Sequence, residues 1–69
     1  MEITAPLPGN IMKVNISVGE TIKKGHVMFV LEAMKMENDV VAPKDATVTG
    51  VYVKVGNVVN TGSKMATLG

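Results

Sequence analysis

Cysteine is absent from the 69-residue sequence, so neither disulfide staples nor thiolate metal sites are open to it, and the single histidine, His26, cannot build a metal centre alone. No metal site is expected. Aromatic residues make up 3% of the chain, and seven lysines against six acids leave a net charge of +1. That balance supplies no base-stacking platform and no phosphate-binding stripe, so nucleic acid is not an expected partner. No apolar run approaches the roughly 18 residues of a membrane span, and the opening residues Met1 to Pro6 carry neither the basic nor the apolar stretch of a secretory leader. The expectation is a cytoplasmic chain without direct membrane contact. Its length allows one domain, residues 1–69, and the 46% of hydrophobic residues must hold that domain by packing alone.

What the sequence does have is a motif written twice, at an offset of 37 residues and without a gap. Ala5-Pro6 falls on Ala42-Pro43, Ile11 on Val48, Val14 on Val51, Ile16 on Val53 and Val18-Gly19 on Val55-Gly56. Ile22 falls on Val59, Gly25 on Gly62, Met28 on Met65 and Leu31 on Leu68. Within each copy Val14, Ile16 and Val18, or Val51, Val53 and Val55, alternate with polar or exposed positions, the period of a half-buried strand. The phase slips after Ile11 and Val48, and Gly50 sits in the second slip, as a bulge or sharp bend predicts. Gly19, Gly25, Gly56 and Gly62 mark turns, and Pro6, Pro8 and Pro43 fall near strand ends. Short strands between regular turns predict an all-β sandwich or flattened barrel with internal pseudo-two-fold symmetry. If 28–33 and 37–42 form a hairpin, the repeat requires 65–68 and 2–5 to pair likewise. The chain ends then lie together, opposite the hairpin tip.

The hairpin link, Glu32-Ala33-Met34-Lys35-Met36-Glu37-Asn38, breaks local rules. A two-residue turn of the primed type favours Asn, Asp or Gly at positive φ, yet Met34-Lys35 stands at the centre. A left-handed conformation at such residues costs roughly 1–2 kcal/mol each, a cost more often accepted at a working site. Two bland alternatives compete with this reading. Glu32 to Glu37 are good helix formers and allow a single helical turn, and Met34 and Met36 are the kind of residue that fills core gaps beside a solvated lysine. The flanking strands and the shortness of such a helix favour the turn.

Ala33-Met34-Lys35-Met36, with Ala5-Pro6-Leu7-Pro8-Gly9 before it and Ala42-Pro43 after it, resembles the biotinyl domain of biotin-dependent carboxylases and decarboxylases, over essentially the whole chain. The resemblance implies two four-stranded antiparallel sheets in a barrel-sandwich hybrid, with the modified lysine on a hairpin turn. It implies that biotin protein ligase joins biotin covalently to Lys35, from biotinyl-adenylate, and that Ala33, Met34 and Met36 are the recognition motif. It also implies biotin carboxylase and carboxyltransferase or decarboxylase domains or subunits as partners, between which the arm carries a carboxyl group. Tethering alone raises the arm's concentration at both sites, so the body needs no pocket of its own. Ala46 departs from the family pattern, in which glycine is usual there. The gapless repeat leaves no room for a protruding thumb, which points to thumbless carriers such as those of propionyl-CoA or pyruvate carboxylases, transcarboxylase or membrane-linked decarboxylases.

The alternative within the same superfamily is a lipoyl-type acyl carrier with the lipoyl group on Lys35, although that family's lysine usually follows Asp. An enzyme in its own right is not expected. No serine or lysine has a base and orienter nearby, and no glycine loop leads into a helix. Lys13, Lys23, Lys24, Lys44, Lys54 and Lys64 read as solvated surface, Glu32 and Glu37 as solubilising residues beside the tip, and His26 as an exposed turn residue.

Overall fold

The computed structural model describes residues 1–69. Strict alternation in Ala46-Thr47-Val48-Thr49-Gly50 buries Ala46, Val48 and Gly50 and turns both threonines to solvent, the signature of a strand with one wet face. Eight strands form in this way: β1 Glu2–Thr4, β2 Gly9–Val14, β3 Thr21–Ile22, β4 Val27–Ala33, β5 Met36–Val41, β6 Ala46–Val51, β7 Val58–Val59 and β8 Lys64–Leu68. They make two antiparallel sheets, one ordered β1-β8-β6-β3 and the other β5-β4-β2-β7. A 16-residue apolar cluster lies between them, with Phe29, Leu31, Ile11, Val48, Met28 and Met65 at its centre.

The repeat predicted from sequence is written into the hydrogen bonds. Gly19 and Glu20 bond Val48, extending the β3–β6 ladder, as Gly56 and Asn57 bond Ile11, extending the β7–β2 ladder, and Ala42 bonds His26 as Ala5 bonds Ser63. Even the turn supports match: Glu20 Oε1 accepts from the N–H of Ser17, and Asn57 Oδ1 from that of Lys54. The two-fold also sets out four bulges in two pairs. Met28 and Met65 are extra residues in β4 and β8, and both side chains are fully buried. Met12 and Thr49 are the extra residues in β2 and β6. A bulge re-aims the side chains around it, which is how two methionines enter the core without breaking the ladders.

Two expectations need correction. The alternating runs are not strands to their ends, because β2 stops at Val14 and β6 at Val51. Ile16 is buried and Val53 half-buried beyond those ends, but Val18 and Val55 are exposed. The positive φ of Gly19 and Gly56 closes a tight turn there, with Glu20 N–H bonding Ser17 and Asn57 N–H bonding Lys54, so each valine becomes a turn residue. Gly50, secondly, is not demanded by the bulge beside it. Its counterpart Lys13 follows the same bulge in β2. A side chain at Gly50 would meet the Tyr52 hydroxyl and lie 2.8 Å from Thr67 Oγ1, so glycine there makes room for the two side chains that lie over the strand.

The ends pair as predicted: the N-terminal amine donates to Leu68 O at 2.8 Å, and Leu68 N–H donates to Met1 O at 2.8 Å. The two-fold carries the β4–β5 turn onto these chain ends. Tip and termini thus occupy opposite ends of the molecule's 30 Å length.

Candidate functional site

The β4–β5 ladder runs in register from Leu31↔Asn38 through Glu32↔Glu37 to Ala33↔Met36, leaving Met34 and Lys35 as a two-residue turn. Their φ angles are 53° and 62°, the only positive values at non-glycine residues in the chain. Two successive positive φ values define the primed turn that matches strand twist, so the hairpin takes its natural closure with residues that resist it. The six-pair ladder and the buried Ala33 hold the turn from below. Asn38 Nδ2 adds a bond to Met36 O at 3.2 Å.

This arrangement settles the sequence alternatives at the tip. No helical turn forms, and neither methionine fills the core: Met34 is 92% exposed and Met36 66%. Lys35 is exposed between them. So are the other six lysines, so exposure alone singles out none of them. Lys64 pairs with Glu2 at 3.9 Å and lies 4.6 Å from the Tyr52 ring centroid. Lys35 differs in standing at the apex of the two-residue turn, at positive φ and between two exposed methionines, whereas the lack of an ion pair is common to every lysine but Lys64.

Of the residues that the resemblance names beside Lys35, Ala33 is the one that the fold buries. It sits against Gly9 at the start of β2, where a Cβ would come within 2.5 Å of Glu32 O and 3.3 Å of Ala33 Cβ. Small residues at both positions let β2 brace the root of the hairpin. Glu32 and Glu37, read as surface from sequence, face one another directly across the hairpin. That like-charge pairing was legible, since a two-residue turn fixes which residues oppose. Ala46 lies at the start of β6, away from the tip, and His26 is half-exposed, its Nε2 3.1 Å from Asn15 O.

The body does carry a groove, contrary to expectation. About 400 Å³ in volume and open to solvent, it lies on the pseudo-two-fold between edge strands β1 and β5, lined by Ile3 and Val40, Thr4 and Val41, and Pro6 and Pro43. It does not include the tip. Biotin as a group fits the tip chemically: an unpaired primary amine on a stiff turn accepts an acyl group without disturbing a core contact.

Comparison with known proteins agrees with the geometry. The family model described as "Biotin-requiring enzyme" matches residues 1–68. The chain belongs to this family. It is 44% identical over 64 residues to the biotin carboxyl carrier protein of Streptococcus mutans, covering 93% of this chain and 49% of that one. The chain thus spans about half the length of that relative. Among solved structures, a single-chain, multi-domain long-chain acyl-CoA carboxylase superposes with a TM-score of 0.91 at 33% identity, over 96% of this chain and 7% of that one. The lipoyl domain of the 2-oxoglutarate dehydrogenase complex of Azotobacter vinelandii superposes with a TM-score of 0.86 over all of this chain and 95% of that one. At 21% identity this last likeness shows the barrel-sandwich fold alone.

Proposed function

We propose that residues 1–69 are a biotin carboxyl carrier domain in which Lys35 is the residue biotinylated by biotin protein ligase. The observation that carries this reading is the exposed Met34-Lys35-Met36 apex held at positive φ, in a chain of the biotin-requiring family. Lys35 Nζ attacks as the neutral amine at the acyl carbon of biotinyl-adenylate; the C–N bond of the amide forms as the C–O bond to AMP breaks, and AMP and a proton leave. Attachment removes one positive charge from the apex and leaves Glu32 and Glu37 beside it. Bound biotin supplies a ureido nitrogen that takes up a carboxyl group at one site and gives it up at another.

The chain's own contribution is mechanical. The ladder below the turn keeps the attachment point at the extremity of the body, so that the arm swings from a fixed pivot. The lysine stem plus an attached biotin reaches on the order of 15 Å, half the 30 Å length of the domain. Sites further apart are served by movement of the whole body on a tether, and the far placement of the chain ends leaves the tip clear during that movement. Biotin carboxylase and carboxyltransferase or decarboxylase modules are the partners this reading assigns, in keeping with the carboxylase that shares the fold at 33% identity. The carrier itself performs no bond-making step beyond presenting the amine.

The test is a paired labelling reaction. The chain is incubated with ATP and either biotin plus a biotin ligase or lipoate plus a lipoate ligase, and its intact mass is measured. Uptake of biotin in the first reaction and none in the second supports the reading. The reverse pattern assigns a lipoyl-type carrier instead, and no uptake in either removes carrier function altogether.

A further inference from the structure

The six methionines of this chain fall into sharply different environments. Met28 and Met65, related by the two-fold, are fully buried at bulges in the core, while Met12 on β2 and Met1 at the chain end, both remote from Lys35, are 40% and 57% exposed. Met34 and Met36 are 92% and 66% exposed, on either side of Lys35. A thioether is the side chain most readily oxidised after a thiolate, and this chain has no cysteine to be oxidised first.

We infer that Met34 and Met36 are an oxidation-sensitive modification site, whose conversion to sulfoxides blocks attachment of biotin to the neighbouring Lys35; this rests on the reading of Lys35 given above. In each step a sulfur lone pair attacks the terminal oxygen of a hydroperoxide. The S–O bond forms as the O–O bond breaks, the thioether is oxidised by two electrons, and the peroxide is reduced to water or an alcohol. The product replaces a flexible apolar surface with a strong, chiral S–O dipole on both flanks of the amine.

The consequence is confined to the tip by its geometry. Neither exposed methionine contributes to the apolar cluster, so oxidation leaves the core packing and the ladder intact. A ligase that covers the apex must bury the thioethers as it approaches Lys35, and a sulfoxide buried there without a partner weakens that complex. Thiol-dependent sulfoxide reductases reverse the step, so the site is a switch rather than a lesion. Met28 and Met65 are the internal control, since the same side chain in the same molecule has no access to the oxidant.

The experiment uses the unmodified 69-residue chain, a limited dose of hydrogen peroxide removed before assay, peptide mapping by mass spectrometry, and the initial rate of biotin uptake with a biotin ligase. Sulfoxide is expected at Met34 and Met36 before any at Met28 or Met65, with a far-UV spectrum and melting curve unchanged. Biotin uptake is expected to slow by about tenfold or more and to recover after treatment with sulfoxide reductases. A Met34→Leu, Met36→Leu variant, whatever its own rate, is expected to lose no activity on peroxide treatment. Oxidation of the core methionines as fast as the tip, an unchanged uptake rate after tip oxidation, or equal peroxide sensitivity in the double variant each overturns the inference. An untreated chain that takes up no biotin is a separate outcome. It removes the functional reading itself, and the switch falls with it, while the order of oxidation still reports on the tip's exposure.

Discussion

Lys35 and Met34 adopt the left-handed region at a cost of roughly 1–2 kcal/mol each relative to residues that favour it. Replacing the pair by Asn-Gly, the preferred sequence for this turn, is therefore expected to raise the unfolding free energy by about 1–3 kcal/mol in urea titration, the entropy that glycine loses on folding offsetting part of the strain relieved, while abolishing biotin uptake. A variant no more stable than the parent would show that the turn is not strained. Lys35→Arg separates the two effects, keeping charge and length but not a group the ligase acylates. It is expected to melt with the parent, within about 0.5 kcal/mol, and to gain no biotin mass. The position of this residue was legible because the repeat placed strands on both sides of a link too short for a helix. Its environment was less so: the sequence does not distinguish exposed tip methionines from core methionines such as Met28 and Met65, which only the bulges send inward.

Among the elements, the β4–β5 hairpin carries Glu32 directly opposite Glu37, and like charges in that position repel. Glu37→Lys is expected to stabilise the fold by about 0.2–1 kcal/mol at low salt, with the gain shrinking as ionic strength rises. A gain independent of salt would assign it to something other than charge. Strand β6 holds the second element-scale prediction. Gly50→Ala is expected to cost about 1 kcal/mol as the half-exposed Tyr52 ring is displaced from the strand, and less in a Tyr52→Asn background, where only the Thr67 hydroxyl still meets the new methyl. Equal costs in the two backgrounds would contradict this account. Sequence reasoning tied Gly50 to the phase slip, and the slip is a bulge, but Lys13 makes the same bulge without glycine. The ring overhead is a contact across the strand face, invisible to periodicity. The same limit misassigned Val18 and Val55, where an alternating pattern runs on into a glycine turn.

For the whole molecule, two copies of one motif close around a single core, and the rotation that relates them sends the Met34-Lys35 turn and the chain ends to opposite poles. Stability in so small a domain, about 3–5 kcal/mol in total, leaves little to spare. Val53→Asp places a carboxylate against the core cluster and is expected to cost roughly 2–4 kcal/mol, leaving a broad, low-temperature melt. A cooperative melt like the parent's would mean that residue 53 does not face the core. The groove on the two-fold was not legible, since it arises between two edge strands whose separation no repeat specifies. The central claim is that the fold presents one lysine of seven for acylation. Tryptic mapping of the chain after reaction with biotin, ATP and biotin ligase tests it most directly. The account predicts one biotinyl group on the peptide containing Lys35 and none on Lys13, Lys23, Lys24, Lys44, Lys54 or Lys64; biotin on any of those with Lys35 bare would contradict it.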